Sequence, residues 1–399
     1  MDFDFSPQEE TFRREVKGFL AKNVKELPDW WGRRDVAGPD PESDEYHEFS
    51  LWWHRKLYDA GLVGIAWPKE YGGRGATLME QVVFGEEFAK HGAPGPANSM
   101  GLSWVGWALI NYGTEEQKKR YLPKILTAEE IWCTFYSEPN NGSDMANAQT
   151  RAVEDGDDFV VNGQKIWSSG AHRADFGVLL ARTDPEARKH RGLSYLFLNV
   201  HSPGVTLRPL VQMHGRAGFN ESFFDDVRFP KHQIIGQLNM GWYIAAGALE
   251  YERLIGGAIE RNNTLRDITT MTKELKRHGQ LLTKDWTVRQ RMAQFHIEVN
   301  ILRLMGMRQI TRRLREGAPG PEGSLTGFFQ SEHNQRVQDF VMQLQGPYGQ
   351  LMRDSKHAIE QGRWQNSFLT SRGSTIAAGT SEIRRNIVAM RVLGLPRSY

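Results

Sequence analysis

The chain has 399 residues, 50 of them Lys or Arg and 48 Asp or Glu, for a formal net charge of +2, and 39% of its residues are hydrophobic. A chain of that size buries a large core and divides into two or three domains, and so even a charge balance leaves no basic surplus for nucleic acid or an anionic membrane. The single cysteine, Cys133, excludes an intrachain disulfide and suits a reducing compartment; no run of about eighteen apolar residues offers a membrane span, and the acidic opening MDFDFSPQEE is unlike a signal peptide, so a cytoplasmic protein is expected.

Taken in order, Ser6-Pro7-Gln8-Glu9 reads as a capping box with proline at the first helical position, and Phe12, Val16, Phe19 and Leu20 follow at helical spacing. Residues 23–44 read as a long loop, and a second helix runs over about 46–60 with Gly61 as its stop. Trp67-Pro68-Lys69-Glu70-Tyr71-Gly72-Gly73-Arg74-Gly75 is a turn no helix crosses. Thr77-Leu78-Met79-Glu80 opens a helix to about His91, and Pro94-Gly95-Pro96 breaks the chain. The next helix, to Tyr112, is apolar on most sides, which favours core over ligand pocket. Gly113-Thr114-Glu115-Glu116-Gln117 then stops one helix and caps another.

From Trp132 the period changes to that of strands, which gives three segments: a helical domain at 1–129, a β domain at 130–238 and a helical domain at 239–399. The β domain reads as a small antiparallel barrel or sandwich. Asp155-Gly156 and Asn162-Gly163 are read as hairpin-turn dipeptides. The charged stretch Glu186–Arg191 reads as a solvated hairpin tip, with attraction of a phosphate as the alternative. Beyond it, helices are expected over 241–263, 286–314 and 328–344, with 317–327 as a Gly/Pro linker.

Two polar segments stand out: Tyr136-Ser137-Glu138-Pro139-Asn140-Asn141-Gly142-Ser143-Asp144 and Lys165-Ile166-Trp167-Ser168-Ser169-Gly170. The first can present backbone N–H groups and hydroxyls to a planar or anionic ligand, and the second adds an aromatic face. In order and spacing they resemble the paired signatures of acyl-CoA dehydrogenases, S-E-P-x-x-G-S-D and N-G-x-K-x-W-x-[ST]. The W-P-x-E-Y-G-G turn at Trp67–Gly73 is a further match.

The resemblance implies an α+β multidomain fold: an N-terminal helical domain, a middle antiparallel β-barrel or sandwich and a C-terminal four-helix bundle that builds the oligomer. It implies FAD as cofactor, an acyl-CoA substrate and electron transfer to an electron-transferring flavoprotein. Carried over by position, Tyr136, Ser137, Ser143, Trp167 and Ser169 contact the flavin, while Gln343, Gly346, Thr380 and Glu382 serve the rest of the cofactor. Ser143, Arg253 and Ala378 fall on the substrate side, and no metal is implied.

The commonest family base is a glutamate at the position that here holds Ala378, which takes no proton. A minority, similar to isovaleryl- and long-chain acyl-CoA dehydrogenases, carries the base on the helix after the β domain in an E-R-L pattern, and Glu252 of Glu252-Arg253-Leu254 matches it. The alternative role for Glu252 is that of a salt-bridge partner. Gln343-Leu344-Gln345-Gly346-Pro347-Tyr348-Gly349 matches Q-x-x-G-G-x-G with proline for one glycine, and 278–289, HGQLLTKDWTVR, lacks the family's R-x-x-F-G segment. These departures keep two assemblies open: a homodimer or homotetramer, and a half-site or non-catalytic subunit of a heterotetramer with a paralogue.

Overall fold

The computed structural model describes residues 4–36, 38–252, 258–317, 320–353 and 355–396, with backbone alone at 250–252 and 258–260. The chain forms two compact units, one of residues 1–38, 78–93 and 253–399, the other of 39–77 and 94–252.

In the first unit, α1 (Pro7–Asn23) starts where the sequence says it must. Ser6 Oγ accepts from the Glu9 N–H, and the Glu9 carboxylate accepts from the Ser6 N–H at 2.6 Å, so two orphan donors of the first turn are satisfied. Helix α1 packs on α3 (Leu78–His91), where Arg13 reaches Glu86 at 3.0 Å and the buried Glu87 at 2.7 Å. The C-terminal helices α7 (Ala258–Glu274), α8 (Trp286–Glu316) and α9 (Gly323–Gln345) enclose a core that includes Leu265, Met271, Phe295, Val299, Phe340 and Trp364. Each such side chain contributes about 1.5–3 kcal/mol by leaving water. Helix α9 begins inside the stretch expected to be a linker, because Arg312 clamps Glu322 at 2.6 Å just before its first turn.

The second unit holds α2 (Asp44–Asp59), a π-helical turn (Gly101–Val105) that runs into α4 (Gly106–Tyr112), and α5 (Glu115–Thr127). The Trp67–Gly75 turn is built around its tryptophan. The Trp67 indole N–H donates to the Leu102 carbonyl at 3.0 Å, and at Gly73 a Cβ would lie 2.1 Å from the Trp67 carbonyl oxygen. In α5, Thr114 and Gln117 form the expected capping box, and the Gln117 amide also donates to the carbonyls of His232 and Ile234, both at 2.8 Å.

Seven strands follow: β1 (Trp132–Phe135), β2 (Arg151–Asp155), β3 (Asp158–Ser169), β4 (Phe176–Arg182), β5 (Leu193–Asn199), β6 (Val205–Leu210) and β7 (Phe219–Pro230). They form one sheet in the order β1-β4-β2-β3-β7-β6, with β5 also on β4. Most pairings are antiparallel; β4 runs parallel to β1 and to β2. Cys133, Phe135, Phe159, Leu179, Leu196, Val227 and Phe229 fill its apolar face. Burial pushes the Cys133 thiol pKa far up, so it behaves as a small apolar side chain.

Asp155 pairs with Asp158 across the Gly156–Asp157 turn, with Gly156 at φ +62°, so that dipeptide does make a hairpin. Asn162-Gly163 does not. It lies inside β3, at a bulge in the pairing with β7, and the glycine is there because a Cβ would sit 2.6 Å from Thr150 Oγ1. Helix α6 (Gly241–Glu252) packs against β5, α4 and the π-helical turn through Ile244, Ala245 and Ala248. Among the described residues no helix is long and apolar enough to cross a membrane.

Candidate active site

The two signature segments meet at the end of the sheet. Strand β1 stops at Phe135 and delivers Tyr136–Asp144 alongside the last residues of β3, where Ile166 donates its N–H to the Ser137 carbonyl at 2.9 Å. Between Lys165 and Ser168 the pairing with β7 slips. The bulge holds Trp167 at φ +63°, a left-handed conformation costly for a bulky residue, and turns its indole outward until it is 56% exposed. Among the described residues its aromatic contact is the edge of Phe219, at 5.8 Å between ring centroids. Ser169, half-buried, closes the strand opposite Phe219.

Tyr136 is buried against a wall of aromatic rings. Its ring stacks on Trp104 at 5.4 Å, and its hydroxyl lies 2.5 Å from that of the fully buried Tyr195. Burial pushes the Tyr195 phenol up, so that hydroxyl stays neutral. Ser143 is exposed on the 141–144 turn, next to Asp144, whose carboxylate pairs with Lys189 at 2.6 Å. That pairing occupies one cation of the charged β4–β5 loop.

Behind the cradle lies a charged pair that sequence reading passed over. Lys165 is wholly buried, and its ammonium donates to the Tyr136 carbonyl and to Glu138 Oε1, both at 3.0 Å. Glu138 also accepts from the backbone N–H groups of Gln149 at 2.6 Å and Thr150 at 2.8 Å. Burial alone would raise its pKa, but the Lys165 charge and these donors outweigh it and hold the carboxyl at about 2. Burial lowers Lys165 to about 8 against the opposing pull of Glu138, so the pair is ionic at neutral pH. Arg182 secures the same loop by donating to the carbonyls of Ala146 and Ala148, both at 2.9 Å. Glu138 is too heavily bonded to serve as a proton acceptor. The available signal was two charged residues inside motifs bordered by strands.

Glu252 is the last residue of α6; its side chain, and the whole of Arg253, lie outside the described residues. One turn earlier Ala248 is fully buried, and at Gly247 a Cβ would lie 2.3 Å from the Trp107 ring, so α6 sits tightly on α4.

The remaining candidates belong to the other unit and fall into two places. Thr380 is the N-cap of the short helix Ser381–Ile387, its hydroxyl accepting from the Ile383 N–H at 3.2 Å, and Glu382 is exposed in the first turn. Just before them, Ala378 at φ +52° and Gly379 at φ +99° form a left-handed pair, and the Ala378 carbonyl accepts from Arg384 at 3.1 Å. Gln343 and Gly346 sit instead where α9 gives way to a 3-10 turn, Gly346–Gln350. Pro347 lies in the first turn of that short helix, where a missing N–H and a fixed φ are tolerated. The Gln343 carbonyl accepts from Arg277 at 2.9 Å.

An outward indole, a half-buried hydroxyl at Ser169 and a Ser137 N–H with no acceptor among the described residues fit a flat heteroaromatic ring with polar edges. The comparisons agree. Three acyl-CoA dehydrogenase family models match in series: the N-terminal domain at residues 6–129, the middle domain at 133–227 and the C-terminal domain at 239–393. The chain is 37% identical over 396 residues to acyl-CoA dehydrogenase IpdE1 of Mycolicibacterium smegmatis, covering 97% of each chain. It is 32% identical over 411 residues to acyl-CoA dehydrogenase FadE26 of Mycobacterium tuberculosis, covering 100% of each. Among solved structures, the ChsE4-ChsE5 complex from Mycobacterium tuberculosis superposes with a TM-score of 0.85 at 31% identity over 100% of both chains. A structure described as the Tcur3481-Tcur3483 steroid ACAD gives 0.85 at 30% identity, also over 100% of both. Family models over nearly the whole length, together with relatives at this identity and coverage, establish that the chain belongs to the acyl-CoA dehydrogenase family.

Proposed function

We propose that the chain oxidises an acyl-CoA thioester between Cα and Cβ, with Glu252 as the base that removes the α-proton. The observation that carries this reading is the joined cradle, Ile166 N–H to Ser137 O at 2.9 Å with Trp167 turned outward, in a chain whose usual base position is Ala378. When bound, FAD supplies the hydride acceptor. Tyr136, Ser137, Trp167 and Ser169 would hold its ring, and Ser143 would lie near both the ring and the substrate. Gln343, Gly346, Thr380 and Glu382 serve its diphosphate and adenosine portions. The Ala378 N–H takes the thioester carbonyl, whose polarisation acidifies the α-proton, and Arg253 lies on the substrate side. The segments 1–129, 130–238 and 239–399 act as the three functional domains of a cytoplasmic homodimer or homotetramer that passes electrons to an electron-transferring flavoprotein.

The test is a screen of acyl-CoAs for bleaching of the flavin absorbance of the purified protein. Because one similar solved structure is described as a steroid ACAD, steroid-derived thioesters belong in that panel beside branched and aryl ones. A yellow protein that no member bleaches would count against the reading.

A second reading is a half-site subunit. Two similar solved structures are described by pairs of chain names, ChsE4-ChsE5 and Tcur3481-Tcur3483, and this chain lacks a carboxylate at 378. Such a subunit would be colourless or inert alone and active only when co-expressed with a paralogue.

A further inference from the structure

The mechanism leaves one group unused, the wholly buried Lys165. An isolated ammonium in such a site is expensive, and this one is stabilised by two acceptors, the Glu138 carboxylate and the Tyr136 carbonyl oxygen. The second is informative. In a trans peptide the N–H points opposite to the C=O, and the described residues contain no cis bond. Holding the Tyr136 carbonyl inward therefore turns the Ser137 N–H outward, and that N–H has no acceptor among the described residues. The other face of Ser137 is fixed as well, since its carbonyl accepts from Ile166. Glu138 in turn ties down the loop through Gln149 and Thr150.

We propose that Lys165 is a positioning residue: with Glu138 it fixes and polarises the Tyr136–Ser137 peptide so that the Ser137 N–H is presented as a rigid donor to the ring of the flavin. The inference rests on the flavin-binding reading above. A cation hydrogen-bonded to the carbonyl strengthens the N–H donor at the other end of the same peptide, which favours electron density on the ring. Lys165 thus acts through the backbone and touches no reacting atom.

The test uses the full chain. In Lys165→Met/Glu138→Gln both charges are removed together at similar volume, so neither is stranded. The expected result is an unchanged far-ultraviolet circular dichroism spectrum, a dissociation constant for FAD at least tenfold higher, and a lower midpoint potential at saturating FAD. Wild-type affinity and potential in a folded double variant would overturn the proposal. Should that variant not fold, hydrogen exchange on the wild-type chain decides. FAD should slow exchange of the Ser137 amide at least tenfold, and an unprotected Ser137 amide in protein shown to bind FAD would refute the assignment. A wild-type chain that binds no FAD removes the functional reading itself, and the proposal with it.

Discussion

Ile166 donates its backbone N–H to the carbonyl of Ser137 at 2.9 Å, and that bond makes one surface of two segments far apart in sequence. The bulge at Trp167 forms against β7, and the turn after Tyr136 is tied through its own Glu138 to Lys165, Gln149 and Thr150.

Replacing Glu252 by Gln keeps the shape of the side chain and removes its basicity. Flavin affinity should stay within about twofold while the rate of bleaching by a good acyl-CoA falls roughly 10²–10⁴-fold, the usual contribution of a positioned base. Stopped-flow absorbance measures both, and wild-type bleaching in this variant would exclude Glu252 as the base.

Trp167→Ala separates binding from stability. The indole is more than half exposed, so its removal should move the melting temperature of the flavin-free chain by no more than about 2 °C. Loss of a stacking face worth about 1 kcal/mol should weaken FAD roughly five- to tenfold, read by quenching of flavin fluorescence.

Phe295 is 1% exposed and meets Phe340 edge-on at 5.5 Å and His333 at 5.6 Å. Phe295→Ala leaves a cavity at the centre of the α7–α9 core and should cost about 3–5 kcal/mol, seen as a lower midpoint in urea. A shift below about 1 kcal/mol would mean that this core is loosely packed.

His333 gives the chain an acid-sensitive spot. Burial, with help from Arg336 and Arg261 and against the pull of Glu298, lowers its pKa from 6.5 to about 4, so the ring is neutral when folded. The unfolded chain binds this proton more readily. The contribution to stability is therefore complete above about pH 6.5 and is lost as pH falls towards 4, about 3 kcal/mol at most. Melting temperature against pH should fall through this window, and His333→Gln should flatten the fall. A parallel decline in the variant would assign the acid sensitivity elsewhere.

Much of this was legible because the deciding interactions are local. Ser6 with Glu9 and Thr114 with Gln117 name their own helix starts, and the glycines of the Trp67–Gly75 turn announce a backbone packed on itself. What was hidden depended on partners distant in sequence. Asn162-Gly163 has the composition of a hairpin turn, and only the approach of Thr150 makes its glycine part of a bulge. Helix α9 starts earlier than its Gly/Pro content suggests because Arg312 holds Glu322. The burial of Lys165 is a property of the closed sheet, and no periodicity reports it.

The Gln117 side chain spends its oxygen on the Thr114 N–H and both amide hydrogens on the carbonyls of His232 and Ile234. Fraying of the α5 cap thereby releases the exit of the sheet, and loosening of that exit uncaps the helix. A single glutamine therefore ties the start of α5 to the residues that follow β7, and its loss leaves three backbone groups at those two edges without this partner.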